Sequence, residues 1–504
     1  MKRTRNINIS TWGLAVIALP MLLMQTACSK KFLDVNPQGQ VPNTLFWVTQ
    51  DDANKAVNAM YANLRGWTNV AFAPIAVESM GSDDAEKGGG YAGDANFMND
   101  FDNFTLTSTE GQISDFWSGQ YQNINLCNQV LDHLDTMNFD ANAKARYMAE
   151  AKFVRAYSYF RLVRAFGGVP LRLHLPSGAT DYNIPRSSKD STYAAIEQDL
   201  TDAAAVLPQS YGVTDIGRAT KGAALALHAK VCMYQKKWTD VLNYTNQVMG
   251  LGYSLFPNYE QLFRIANENC SESVFEIQCT YLASNNDASN CQYSQVQADV
   301  LVAPSVGWGF NRPTQDLVNE YEPGDPRKDA TILFPGETTP EGDVVPAGTP
   351  ADAFHYNSLY NQKSYVPFAL AVVTNQGADQ NVRVIRYAEV LLMNAEAANE
   401  SGNAPQALSS LEQVRARARA MSPDPSVLPP VTTTDQTALR TAIWHERRVE
   451  LAMEFDRLFD LIRQGRAGTV LKPLGFTTGK NELMPIPQNE IDLSAGVLVQ
   501  NPGY

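Results

Sequence analysis

Residues 151–171 read AKFVRAYSYFRLVRAFGGVPL, and the architecture of the whole chain turns on this stretch. Phe153, Ala156, Phe160 and Val163 recur at three- and four-residue intervals, the spacing of one face of an α-helix. Arg155, Arg161 and Arg164 interleave with them. Such a mixture serves either as a sugar- or phosphate-binding surface or as scaffold. In the scaffold reading the cationic stems lie over packed rings and the guanidiniums pair with carboxylates of neighbouring helices. The regular apolar period favours scaffold. Gly167-Gly168 then ends the helix, and Pro170 prevents its resumption.

Helical period recurs outward from this segment, near 118–137, 143–166, 190–206, 218–236, 238–250, 384–400, 404–420 and 436–463. Thr49 with Asp52 three residues on predicts a capped start for an earlier helix, with Ala53, Ala56, Val57, Met60, Tyr61 and Leu64 on one face. Residues 217–249 and 386–418 each read as a helical hairpin close to the ~34-residue tetratricopeptide length. The expected fold is mainly α, a tetratricopeptide-like hairpin scaffold. Two long stretches poor in helical period, 66–117 and 270–383, are expected to be functional loops or small subdomains inserted on one face of that scaffold.

The first residues set the compartment. Lys2, Arg3 and Arg5 precede a short apolar run, Trp12 to Met24, and then Gln25-Thr26-Ala27-Cys28. This is the layout of an exported protein, and Cys28 stands where a bacterial lipoprotein is cleaved and lipidated. No other run approaches the ~20 apolar residues that span a bilayer. Net charge is −13, and −16 once residues 1–27, with three basic and no acidic side chains, are removed. That surface repels nucleic acid and anionic headgroups. Beyond Cys28 the five cysteines are Cys127, Cys232, Cys270, Cys279 and Cys291. The last three lie close enough for one disulfide, with no sequence basis for choosing it.

Several segments, in order, resemble the SusD/RagB outer-membrane lipoproteins of Bacteroidetes. They are FLDVNPQ, YQNINLCNQVLDHL (121–134), the 151–171 stretch, NRPTQDLVNEYEPGDPRKDATI (311–332), VRVIRYAEVLLMNAEA (382–397), HERRVELAMEFDRLFDLIRQG (445–465) and LMPIPQNEID (483–492). The export layout gives a signal peptide over 1–27. The resemblance, which runs from about residue 28 to the C-terminus, implies a lipidated tether over 28–45 and one compact unit with regions 46–269 and 270–504, its long loop and short-strand insertions forming a ligand-binding face. It implies a protein that captures oligosaccharides at the cell exterior and delivers them to a SusC-like TonB-dependent transporter. Some relatives handle peptides instead. No catalysis and no cofactor are implied.

Motif readings agree with a non-enzyme. His133, His174, His228, His355 and His445 fall in unrelated segments, and no second histidine follows His445 at zinc-protease spacing. Glu450, Glu454, Asp456 and Asp460, with interleaved Arg447, Arg457 and Arg463, read as a helix laced by salt bridges. There is no GxSxG elbow or phosphate loop, and nothing marks a glycosidase carboxylate pair. Sugar binding wants flat apolar rings with polar groups around them. The candidate rings on loops are Trp67, Tyr91, Phe97, Trp308 and Phe310. Asp83, Asp84 and Asn96, in the glycine-rich stretch 78–97, are the candidate polar contacts. For that stretch, Ca²⁺ binding, sugar contact, transporter contact and a plain solvated loop all remain open.

Overall fold

Thr49 and Asp52 exchange the reciprocal bonds of a capping box, the Asp52 carboxylate accepting from the Thr49 N–H at 2.8 Å. Helix α1 (Gln50–Leu64) therefore starts where the sequence predicts, and buries Ala53, Val57, Met60 and Leu64. The computed structural model describes residues 46–91, 93–178, 181–282, 291–297, 307–345, 359–370 and 378–504. The signal segment, the tether and Cys28 lie outside the described residues.

The scaffold continues through α2 (Gly111–Thr136), α3 (Ala141–Phe166), α4 (Lys189–Val206), α5 (Lys221–Tyr234) and α6 (Trp238–Met249). It resumes with α7 (Tyr387–Glu400), α8 (Ala404–Arg419), α9 (Gln436–Leu451) and α10 (Arg457–Arg463). From α1 to α7 each helix packs on the next, and α7 also receives α8 and α9. This nearest-neighbour stacking is that of a helical-repeat protein. Pairs α5–α6 and α7–α8 are the two predicted hairpins, and Ala223, Ala226, Ala229, Ala397 and Ala407 are fully buried where the helices meet.

Short antiparallel ribbons occupy the insertions: β1 (Ala85–Gly88) with β3 (Phe310–Pro313), β2 (Ser273–Ile277) with β6 (Val382–Arg386), and β4 (Ile332–Leu333) with β5 (Tyr360–Asn361). The bridge is Cys279–Cys291, leaving Cys127, Cys232 and Cys270 as free thiols.

Helix α3 is scaffold. Phe153, Ala156, Phe160 and Val163 are buried. Arg155 pairs with Asp199 of α4 at 2.8 Å. Arg161 and Arg164 each reach Glu78 at 2.6 Å, and Arg164 also reaches Asp456 at 2.9 Å. Their stems pass over rings, Arg161 over Phe116 at 4.9 Å and Arg164 over Phe459 at 4.6 Å. Gly167 ends the helix at φ +75°, and a Cβ on Gly168 would lie 2.0 Å from the Ser187 carbonyl oxygen.

Two expectations are corrected. The segment 384–400 opens as strand β6 before turning helical at Tyr387, because Val382–Arg386 pairs with β2. The segment 436–463 is two helices, broken at 452–456 with Met453 and Phe455 in the left-handed region at φ 65° and 69°. The break lets Glu454 reach Arg386 and Lys363, both at 2.7 Å, and Asp456 reach Lys230 at 2.6 Å and Arg164. The charges of α9 and α10 accordingly do not form a solvated ladder along one helix; they are buried and cross-link elements. Arg447 spans Glu389 and Asp460 at 2.8 and 2.6 Å, and Arg463 reaches Glu396 at 2.7 Å. Arg327, Arg386 and Arg417 converge on Glu450, whose side chain is completely buried.

Burial pushes the Glu450 carboxyl up, but Arg417, Arg386, Arg327 and Lys363 override it and hold it down at about 2, against an ordinary 4.5. A carboxyl depressed on folding adds stability above its unfolded pKa and loses it as pH falls through the folded value. The thermal midpoint should therefore drop as pH is lowered from about 4.5 to 2. Glu450→Gln should destabilise the protein at pH 7 by about 3–5 kcal/mol, because it strands buried guanidiniums. Melts of both proteins from pH 7 down to pH 2 test it; equal midpoints at pH 7 would contradict it.

Candidate functional site

The ring-bearing insertion begins directly after α1. Gly66 precedes a helical turn, Trp67–Val70, and Asn69 at its centre is locked on every side. Its side-chain carbonyl accepts from Gln120 and Asn123 of α2, both at 2.9 Å, and its amide donates to the Asn63 carbonyl at 2.9 Å. Arg161 donates to its main-chain carbonyl at 3.3 Å. A second turn, Phe72–Pro74, leads into a wide helical turn, Ile75–Ser79, whose Glu78 receives Arg161 and Arg164. Trp67 and Phe72 are thus carried on backbone pinned to α2 and α3.

Past Met80 the chain enters β1, and the carboxylates Asp83 and Asp84 are drawn inward. Arg457 binds Asp83 bidentately at 2.7 and 2.5 Å, and Arg448 donates to Asp84 at 2.8 Å. Burial raises the Asp83 carboxyl, and Arg457 and Arg448 more than offset that and hold it low. Strand β1 then pairs with β3 and brings Phe310 alongside. At their junction the Gly89 N–H donates to the Gly309 carbonyl at 2.8 Å. Only glycine fits at Gly88: φ is +70°, and a Cβ would lie 2.3 Å from the Gly309 oxygen.

Four of the candidate rings converge on Phe72. Trp308 stacks on it, with centroids 5.6 Å apart and planes inclined by 16°. Trp67 lies 5.6 Å from Phe72 and 6.0 Å from Trp308. Phe97 and Phe310 approach Phe72 edge-on at 6.1 and 4.9 Å. These are the separations that aromatic pairs favour. Phe310 is buried and serves as floor, Trp67 and Trp308 are half-buried, and Phe97 is exposed. Exposed Asn96 adjoins Phe97, its side-chain carbonyl accepting from Asn99 at 2.8 Å. Tyr91 is 57% exposed, on a loop tied by the Gly90 N–H donating to the Asp94 carboxylate at 3.0 Å. It makes no ring contact within the Phe72 cluster.

Four of the five rings named from the sequence therefore share one cluster, and its hub, Phe72, was not among them. Phe72, five residues beyond Trp67, was the available signal. The stretch around Asp83 and Asp84 is buried, not a solvated loop. Arg457 and Arg448 answer Asp83, while Asp84 meets Arg448 through one oxygen, leaves the other without a hydrogen-bond partner, and is pushed up by burial. Trp117 lies in the core, and Trp238 is half-buried against it.

A helical-repeat scaffold that holds partly exposed rings on clamped insertions defines a ligand-binding protein. A family model described as "SusD family" matches residues 271–504, and one described as "Starch-binding associating with outer membrane" matches 31–233. The curated "SusD-like protein P2" of Formosa agariphila is 28% identical over 96% of this chain and 98% of its own. Among solved structures, a "Laminarin binding SusD-like protein" is 32% identical, covering 91% of this chain and all of that one, with a TM-score of 0.77. "Surface glycan-binding protein A" from Bacteroides fluxus is 26% identical over 91% of this chain and all of its own, with a TM-score of 0.75. The chain belongs to the SusD family, whose members are binding proteins and not catalysts.

The arginine clamp on the ring-bearing insertion has a direct readout. Lys87, fully buried, is the only Lys or Arg between residues 66 and 143. Arg448→Leu should loosen β1 and let trypsin cut after Lys87, while the parent resists there under the same conditions. Equal resistance of the two chains, followed by mass spectrometry, would contradict the clamp.

Proposed function

We propose that this protein captures a neutral oligosaccharide at the cell surface and hands it to a SusC-like TonB-dependent transporter, tethered to the outer membrane through lipidated Cys28. The observation that carries the proposal is the gathering of Trp67, Phe97, Trp308 and Phe310 around Phe72. Half-buried indole faces offer flat apolar area to the CH faces of sugar rings, and the polar side chains beside them can fix hydroxyls. Rings that are already packed and clamped lose little freedom on binding, so more of the contact energy appears as affinity. The strongly acidic chain suits a neutral glycan better than a polyanionic one. A 32%-identical relative is named for binding laminarin, which makes laminarin the first ligand to try. A surface tether holds captured glycan at high effective concentration beside a transporter.

Calorimetry of residues 29–504 with laminarin and other neutral glycans, and with oligopeptides, tests this reading. Trp308→Ala and Trp67→Ala should each weaken glycan binding by tenfold or more, the loss of about 1.4 kcal/mol or above. Affinity unchanged in both variants would remove the ring cluster from the account. Binding of peptide but not glycan would move the function to peptide import. Cleavage of the ligand would make the protein a hydrolase.

A further inference from the structure

The five histidines are scattered in sequence, yet among the described residues the fold brings one mixed-donor cluster together between α4 and α5. We propose that Glu197, His228 and Cys232 form a binding site for a divalent cation of the zinc class, bracing helix α4 against helix α5. His228 and Cys232 are four residues apart on α5 and so share a face, and Glu197 comes from the adjoining α4. One ligand atom from each lies within 4.8 Å of the other two. Tetrahedral zinc with bonds of about 2.0–2.3 Å places its ligand atoms roughly 3.3–3.8 Å apart, so side-chain rotation closes the difference. Thiolate sulfur, imidazole nitrogen and carboxylate oxygen together suit zinc-like ions; calcium and magnesium take oxygen alone.

A second observation points the same way. The His228 ring is almost fully buried and stacked on Tyr244 at 4.0 Å, yet its Nδ1 has no hydrogen-bond partner. Its Nε2 is 4.0 Å from the Glu197 carboxylate, beyond hydrogen-bond length. The Nε2 side still interacts with Glu197 and helps hold that carboxyl low, so it is the Nδ1 alone that is left as a buried polar atom without a partner, which is unusual. Glu197 and His228 also line a groove of about 760 Å³, which gives an ion a way in and leaves room for water as a further ligand.

Two groups compete for Glu197: the Lys237 ammonium donates to both of its oxygens at 2.7 and 3.0 Å, and the Gln235 side-chain amide donates to one of them at 2.7 Å. The Lys237 side chain is 41% exposed, so it can swing into solvent when the cation arrives. Burial pushes the Cys232 thiol up to about 12, so the metal-free residue is the neutral thiol. Ligation replaces that proton with the metal, and the proton leaves to solvent.

The test is a cobalt(II) titration of residues 29–504 in a Cys270→Ser background, which removes the half-exposed free thiol. A thiolate-to-cobalt charge-transfer band should saturate at one equivalent and be displaced by zinc. The band should vanish in Cys232→Ser and require at least tenfold more cobalt in His228→Gln. Lys237→Met should instead tighten binding severalfold, an outcome that a purely structural trio does not produce. Zinc should also raise the melting temperature of the parent and not of Cys232→Ser. Absence of the band, its survival in Cys232→Ser, or an unchanged affinity in Lys237→Met would overturn the site.

Discussion

Glu78 is where the scaffold takes hold of the ring-bearing insertion. It is buried, it accepts from Arg161 and Arg164 of α3, and it lies six residues beyond Phe72. Through Arg164 the chain of charges continues to Asp456, then Lys230 of α5, then Glu389 of α7, then Arg447 of α9. Five separate parts of the sequence meet in this one buried network. Buried ion pairs contribute little net stability against well-packed apolar residues, because desolvating each charge costs several kcal/mol. What such a network does supply is register: each carboxylate has one set of arginines that satisfies it, and a shifted helix would leave charges unpaired. The arginines of the 151–171 helix thus hold the ring-bearing insertion proposed to meet ligand, without belonging to the ring cluster.

The same logic repeats on the far side of the insertion. Arg448 and Arg457 hold Asp83 and Asp84, and the β1–β3 ribbon that follows carries Phe310 and Trp308 into place. The ring cluster is therefore fixed from two directions, by α3 at the Glu78 end and by α9 and α10 at the Asp83 end. A shallow binding surface benefits from this arrangement, since lost side-chain freedom would otherwise consume much of a weak contact energy.

What could be read in the sequence follows the range of the forces involved. Thr49 and Asp52 announce α1 because a capping box is local, and the Phe153 to Val163 period announces α3 because a helix face repeats every few residues. Trp67 and Trp308 could be flagged because glycine-flanked rings on loops are uncommon in a core. The break at Met453 could not be seen, since it exists to deliver Glu454 and Asp456 to cations elsewhere in the fold. The pairing of Asp84 could not be seen for the same reason: its partner Arg448 is 364 residues away, and no local pattern joins them. Buried charge pairing is the least local term in this protein, and it is the one that decides the geometry of the site.

The central claim is that ligand lies on the rings gathered around Phe72. A crystal structure of residues 29–504 grown with a laminarin oligosaccharide tests it most directly. The account predicts a sugar ring stacked on Trp308 or Trp67, with the arginine pairs of Glu78, Asp83 and Asp84 undisturbed. Sugar bound elsewhere, or bound only after those pairs have broken and the rings have parted, would contradict it.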